Sequence, residues 1–181
     1  MGGDFSAYLA PGEQIRWSGR PAQGLLLRAS DAMLIPFSIM WFGFAIFWES
    51  SVLSIGRAPT FFALWGIPFL LIGFYISVGR FFGDAWARSR TYYALTDRRA
   101  LIVSGMFESK LTSVELTVLS ELHYKPGSSG RGTIVFGPDS PYSGFGSGWG
   151  RRYAAAVSPE FFRVDDAAGA YALIQRRRQV Q

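Results

Sequence analysis

Cysteine is absent from this 181-residue chain, which holds a single histidine, His123, and only two lysines, Lys110 and Lys125. The missing thiols exclude a disulfide framework, a cysteine nucleophile, an iron–sulfur cluster and cysteine zinc sites. One histidine does not make a histidine metal site either, so no metal and no cofactor are expected. Charge is scarce as well: Asp, Glu, Lys and Arg make up 17% of the residues, against about a quarter in soluble proteins. The basic residues are nearly all arginine, giving a formal net charge of +5. That balance reflects arginine usage more than a nucleic-acid surface, and no nucleic acid is expected as partner. What is abundant is apolar: 49% hydrophobic and 17% aromatic residues, which excludes full disorder and implies local concentration.

The concentration lies in two uncharged runs, residues 32–48 (AMLIPFSIMWFGFAIFW) and 58–79 (APTFFALWGIPFLLIGFYISVG). As helices they would span roughly 25 Å and 33 Å, against about 30 Å of bilayer hydrocarbon. A chain this short could hardly enclose two such helices in a soluble core, so they are expected to form a transmembrane hairpin. A cleaved signal peptide fits poorly, because the first run starts late and a second follows closely. Arg16, Arg20 and Arg28 precede the hairpin, its expected link 49–57 holds Glu49 and a single arginine, Arg57, and Arg80, Arg88, Arg90, Arg98 and Arg99 follow it. The positive-inside bias therefore puts both termini in the cytoplasm. Neither run contains a charge, so the hairpin is expected to serve as anchor and packing surface rather than as an ion pathway. Pro68 should kink the second helix, and Gly73 with Ser77 makes a small-residue pair able to admit a close helix neighbour.

Beyond the hairpin the patterning changes. Arg80, Asp84 and Arg88 recur at helical spacing with Phe81, Phe82 and Trp86 between them, which marks an interfacial extension over residues 80–90. Residues 91–96 (TYYALT) and 99–104 (RALIVS) flank Asp97-Arg98 as a β-hairpin, and further strands are expected at 109–116, 122–125, 133–136 and 153–157. A final helix is capped by Asp165 or Asp166, turns Val164, Ala167, Tyr171 and Ile174 to one side, and ends in Arg176, Arg177 and Arg178. The organisation is thus an N-terminal cytoplasmic segment (1–31), a two-helix transmembrane hairpin (32–79), the extension (80–90) and a mainly β cytoplasmic domain (91–181).

LAPGEQIRWSGRP (residues 9–21), the apolar hairpin, YALTDRRALIVSG (93–105) and FFRVDDAAGAYALI (161–174) together resemble the bacterial membrane proteins that carry a pleckstrin-homology-like (PH-like) domain. The resemblance covers nearly the whole chain, and TDRRALI is its most specific piece. It implies a bent seven-stranded PH-like barrel capped by a C-terminal helix at the inner face of a bacterial membrane. The glycine-rich stretch 137–152 (GPDSPYSGFGSGWGRR) departs from it, being long where a tight connection is expected.

Catalytic signatures are thin. Neither lysine follows a glycine as in a P-loop, the alternating glycines at 144–150 lack the GxGxxG spacing, and no GxSxG elbow occurs. Asp165 and Asp166 are adjacent and would diverge on a helix. The chain is therefore not expected to be an enzyme. The residues expected to contact a partner or lipid are Arg88, Arg90, Arg98 and Arg99 beside the membrane, and Tyr142, Phe145, Trp149, Arg151 and Arg152 in the glycine-rich stretch, where aromatic and basic groups suit an interface. Expected partners are membrane lipids and another membrane protein or a second copy of the chain. The expected role is a binding or scaffolding module, with anionic-headgroup binding as its rival.

Overall fold

The computed structural model describes residues 5–27, 31–56, 59–105, 109–127, 130–138 and 158–179. The chain divides into two compact units, one made of Met1–Gly24 with Ala85–Gln181 and the other of Leu25–Asp84. The second unit is thus inserted into the sequence of the first.

The inserted unit is helical. Helix α1 spans Asp31–Ser54 and α2 spans Thr60–Phe74; a π-helical turn, Tyr75–Gly79, then leads into α3, Arg80–Ser89. Helix α1 and the continuous helical run Thr60–Ser89, made of α2, the π-turn and α3, are long and apolar enough to cross a membrane. Their burial is inverted relative to a water-soluble bundle. On α1 the covered residues are Asp31, Ser38, Ala45, Glu49 and Val52, and on α2 they are Gly66 and Gly73. Phe37, Ile39, Phe44, Phe47, Leu64 and Leu71 face outward instead. A seam of small and polar residues at roughly heptad spacing lets the backbones approach closely while bulky side chains point away. The approach is tightest at Gly73, where an added Cβ would stand 3.1 Å from the Phe42 Cα. One turn on, the Ser77 hydroxyl donates to the Ser38 carbonyl at 3.2 Å. The neighbour of the Gly73–Ser77 pair is therefore α1. Pro68 does not end α2, which continues to Phe74, and α1 runs beyond the uncharged stretch, so Glu49 lies within the helix instead of in the link.

The other unit is mainly β. Strands β1 (Ile15–Gly19), β2 (Tyr92–Thr96), β3 (Arg99–Ser104) and β4 (Lys110–Glu115) form one antiparallel sheet in that order. Strands β5 (Leu122–Pro126), β6 (Gly132–Phe136) and β7 (Glu160–Val164) form a second, and α4 (Ala167–Gln179) follows. A bridge between Pro21 and Val164, with the Ala22 N–H donating to the Arg163 carbonyl at 3.1 Å, links the sheets at one corner.

Alternation along the strands sorts side chains into two clusters. Tyr93, Leu95, Ala100 and Ile102 of the first sheet meet Ile134, Phe136, Phe161 and Val164 of the second, together with Ala167, Ala170 and Ile174 of α4. At its centre the Phe161 ring lies 4.8 Å from Tyr93, 4.8 Å from Phe136 and 5.5 Å from Trp17. Ala94 and Leu101 point the other way and are covered by Phe5. Asp166 caps α4, its Oδ1 accepting the Gly169 N–H at 3.2 Å, and Asp165 instead pairs with Arg131 at 2.7 Å. The expected hairpin at 91–104 and the strands near 109–116, 122–125 and 133–136 are present. The strand expected at 153–157 lies outside the described residues, and Val164, expected on the final helix, instead ends β7, because α4 begins only at Ala167 after the Asp166 cap.

Candidate functional site

The β1–β2 pairing brings together the two most distinctive sequence pieces, PGEQIRWSG and TDRRALI. Their charged groups close on one another. Glu13 has a fully covered side chain, and Arg99 reaches it twice, through Nε to Oε1 at 2.9 Å and through Nη2 to Oε2 at 2.8 Å. The Thr96 hydroxyl donates to Glu13 Oε1 at 2.7 Å, while the Ala10 N–H donates to Oε2 at 2.8 Å. Arg99 Nη2 also donates to the Tyr8 carbonyl at 2.9 Å. Beside this clasp Asp97 Oδ1 accepts the Gln14 N–H at 3.1 Å, and the Asp97 N–H returns a bond to the Gln14 carbonyl at 3.2 Å. The turn itself is held by Thr96 Oγ1, which accepts the N–H groups of Arg98 and Arg99 at 3.2 and 3.0 Å.

The electrostatics follow from these contacts. The hydrogen bonds from Arg99, opposed by desolvation and aided by the Ala10 and Thr96 donors, lower the Glu13 carboxyl from 4.5 to about 2. The Asp97 carboxyl is lowered chiefly by the Gln14 N–H. Arg99 is raised, mainly by its bond to Glu13. A bidentate guanidinium–carboxylate pair saturated in this way is a fastener. It ties the segment before the hairpin to the turn after it.

This geometry separates the residues expected to contact a partner or lipid. Arg99 is engaged with Glu13, Tyr8 and Ser113 and is half-buried. Arg88 is buried at 6% exposure and donates to the Gly24 carbonyl; its own carbonyl accepts the Gln23 side-chain amide at 3.3 Å. Arg90 is exposed and lies over the Trp86 ring at 4.7 Å, and the Arg98 side chain is exposed on the β2–β3 turn. Tyr142, Phe145, Trp149, Arg151 and Arg152 lie outside the described residues. His123 is partly exposed and meets Glu121 at 3.0 Å. Among the described residues no group of three or more His, Asp or Glu could hold a metal ion.

Glu13 is not among the residues expected to matter, and its signal in the sequence is slight: an acid immediately after Pro11-Gly12. Glu49 was assigned to the link, and its signal was weaker still, one acid at the end of an aromatic run. No family model, curated protein or solved structure matches the chain.

Proposed function

We propose that the chain is an integral protein of the bacterial inner membrane whose PH-like domain, on the cytoplasmic side, acts as a binding or scaffolding module, including as an accessory subunit of a larger membrane complex. The observation that carries this reading is the pairing of β1 with β2 across the inserted hairpin. Strands in one sheet lie on one side of a membrane, so the chain between them must cross an even number of times, which two helices satisfy. The arginine count then selects the cytoplasmic side. The outward-facing Phe, Leu, Ile and Trp side chains of α1 and α2 support a lipid surround, because so large an apolar surface is unfavourable in water. Seven antiparallel strands followed by a helix support the seven-stranded, helix-capped domain that the PH-like resemblance implies.

Protein binding is favoured over headgroup binding by the state of the arginines. Arg88 is buried and Arg99 is clasped, so among the described candidate arginines only Arg90 and Arg98 are exposed, and two such groups do not make a phosphate pocket. Meanwhile β4 forms an outer edge of the four-stranded sheet among the described strands, and such an edge accepts a partner strand. The Leu116 N–H donates inward to the Arg98 carbonyl, so by alternation the N–H of Ser113 faces away from β3. Ser113→Pro removes that outward donor while leaving the inward ladder. In mild detergent the wild-type chain is expected to retain a companion protein that Ser113→Pro releases, with both termini protected from the periplasm in reporter fusions. Periplasmic activity from either terminus would overturn the topology. Retention of anionic lipid with no companion protein would replace the module reading with the headgroup one.

A further inference from the structure

Three arginines end the last helix, and the fold sets an exposed apolar side chain beside them. Helix α4 runs antiparallel to β5. It starts against Gly132, the partner of Pro126 at the end of β5, where an added Cβ would stand 2.9 Å from the Ala167 Cβ. In its middle the Tyr171 ring stacks on Tyr124 at 5.2 Å. At its end Arg178 Nη2 donates to the Leu119 carbonyl at 3.0 Å, in the loop that joins β4 to β5. Arg176, Arg177 and Arg178 are all exposed, and three successive helical residues rise only about 3 Å along the axis, so their charges gather at this one end. The loop turns Leu119 inward onto the core and Val118 outward. At 82% Val118 is more exposed than any other large apolar side chain among the described residues. The nearest acid in the loop, Glu121, is engaged with His123 at 3.0 Å, so the patch stays basic.

An aliphatic tip beside three arginines matches the boundary between lipid headgroups and acyl chains. There the guanidinium groups reach phosphates while carbon enters the apolar side. Protein interfaces centre instead on aromatic anchors, and the exposed apolar group of this loop is one valine. A single valine buries too little surface to hold a domain alone. Charge therefore supplies the attraction, each arginine near an anionic surface raising its occupancy about fivefold and losing that effect as salt rises. A weak contact is sufficient, because a chain anchored in the bilayer always has that surface within reach.

We propose that the C-terminal end of α4 and the β4–β5 loop form a docking patch for the anionic surface of the bilayer, with Arg176, Arg177 and Arg178 on lipid phosphates and Val118 at the acyl boundary. The patch orients the domain and does not recognise a particular headgroup. It goes beyond the module reading but rests on the membrane anchor which that reading includes.

Because the chain has no cysteine, Ser120→Cys gives a single labelling site in the loop and leaves Val118 and the arginines intact. The full chain, labelled there with bimane, is placed in phosphatidylcholine nanodiscs with and without phosphatidylglycerol, each holding a lipid that carries a nitroxide quencher near its headgroup. Quenching is expected to be about threefold greater or more with phosphatidylglycerol, to fall back in molar salt, and to be lost when Arg176→Gln, Arg177→Gln and Arg178→Gln are combined. The salt dependence decides the matter even if the triple variant fails to fold. The same label at Lys125→Cys, toward the far end of β5, should show no such gain. Equal quenching in the two lipids, or an equal gain at positions 120 and 125, overturns the proposal. Protection of position 120 from aqueous iodide in native membranes but not in phosphatidylglycerol nanodiscs would overturn it in favour of an acidic protein partner. A chain that does not enter nanodiscs defeats the anchor reading, whereas one that enters with its label unquenched defeats the patch alone.

Discussion

Glu13 gives the sharpest quantitative expectation. Its carboxyl titrates at about 2 in place of 4.5, a displacement worth about 3 kcal/mol of folded-state stability at neutral pH. Solvent screening takes little from that figure, because the Glu13 side chain is fully covered and that of Arg99 is 21% exposed. The sign follows from linkage: a carboxyl depressed by folding contributes its full amount above its ordinary value. That contribution is lost as pH falls from about 4.5 toward 2.

Glu13→Gln keeps the shape and most of the hydrogen-bonding reach but removes the charge. The variant should unfold roughly 10 °C below wild type at pH 7, for a domain of this size. The gap should close as pH falls toward 2, where the wild type also loses its carboxylate. Thermal unfolding of the full chain in mild detergent, measured at intervals from pH 2 to pH 7, reads both effects. The Arg99→Ala deficit should also shrink in acid, by a different route. The substitution strands a buried carboxylate, costs about 3–5 kcal/mol near neutrality, and should recover part of that loss in acid as Glu13 takes up a proton. Parallel curves for wild type and Glu13→Gln over the whole range would refute the assignment of this acid-labile stability to the clasp.

Two further substitutions test the two units separately. Phe161→Ala empties the centre of the Tyr93–Phe136–Trp17 cluster and should cost about 3–5 kcal/mol, seen as an early loss of β-sheet signal on heating while the helical signal persists. Gly73→Leu places a branched side chain where an added Cβ already stands 2.8 Å from the Phe42 ring. It should separate α1 from α2, lowering the yield of a disulfide engineered between positions 38 and 77; an unchanged yield would mean that the helices do not meet at this seam.

The sequence made the elements with strong local patterning easy to read. Two uncharged apolar runs announce helices, the Asp97-Arg98 turn between alternating strands announces a hairpin, and Asp166 before Ala167 announces a helix start. What it hid depends on long-range pairing. Residues 15–19 are too short and too mixed to declare a strand, and their extended form is set by a partner on the far side of the hairpin. Likewise β7 merges in the sequence with the helix that follows, separated only by Asp165 and Asp166, the latter at positive φ. The arginines illustrate the same limit: their spacing marked them as a surface group, yet burial of Arg88 and the clasp at Arg99 are tertiary facts. Glu49 was misplaced because helix ends follow packing as well as hydropathy, and its seam position keeps α1 helical past the last tryptophan.

The insertion of the hairpin between β1 and β2 gives the clasp its purpose. Bringing β1 to β2 closes a long loop, and closure costs entropy before any contact offsets it. Helices α1 and α2 lower that cost by running antiparallel, so the chain that leaves after Gly19 returns close to where it left. The remaining requirement is a contact strong enough to fix register across the join, and a five-residue strand alone supplies little. Glu13 and Arg99 meet that requirement at one end of β1, and the reciprocal Gln14–Asp97 bonds lie beside them. Further along the chain, the Pro21–Val164 bridge holds the segment after β1 to the second sheet. The first strand is thus fastened at both of its ends to the part of the domain that follows the insertion. Pairing of β1 with β2 and closure of the helical insertion are therefore coupled in this chain, and a substitution that weakens the clasp should loosen β1 before it disturbs the core around Phe161.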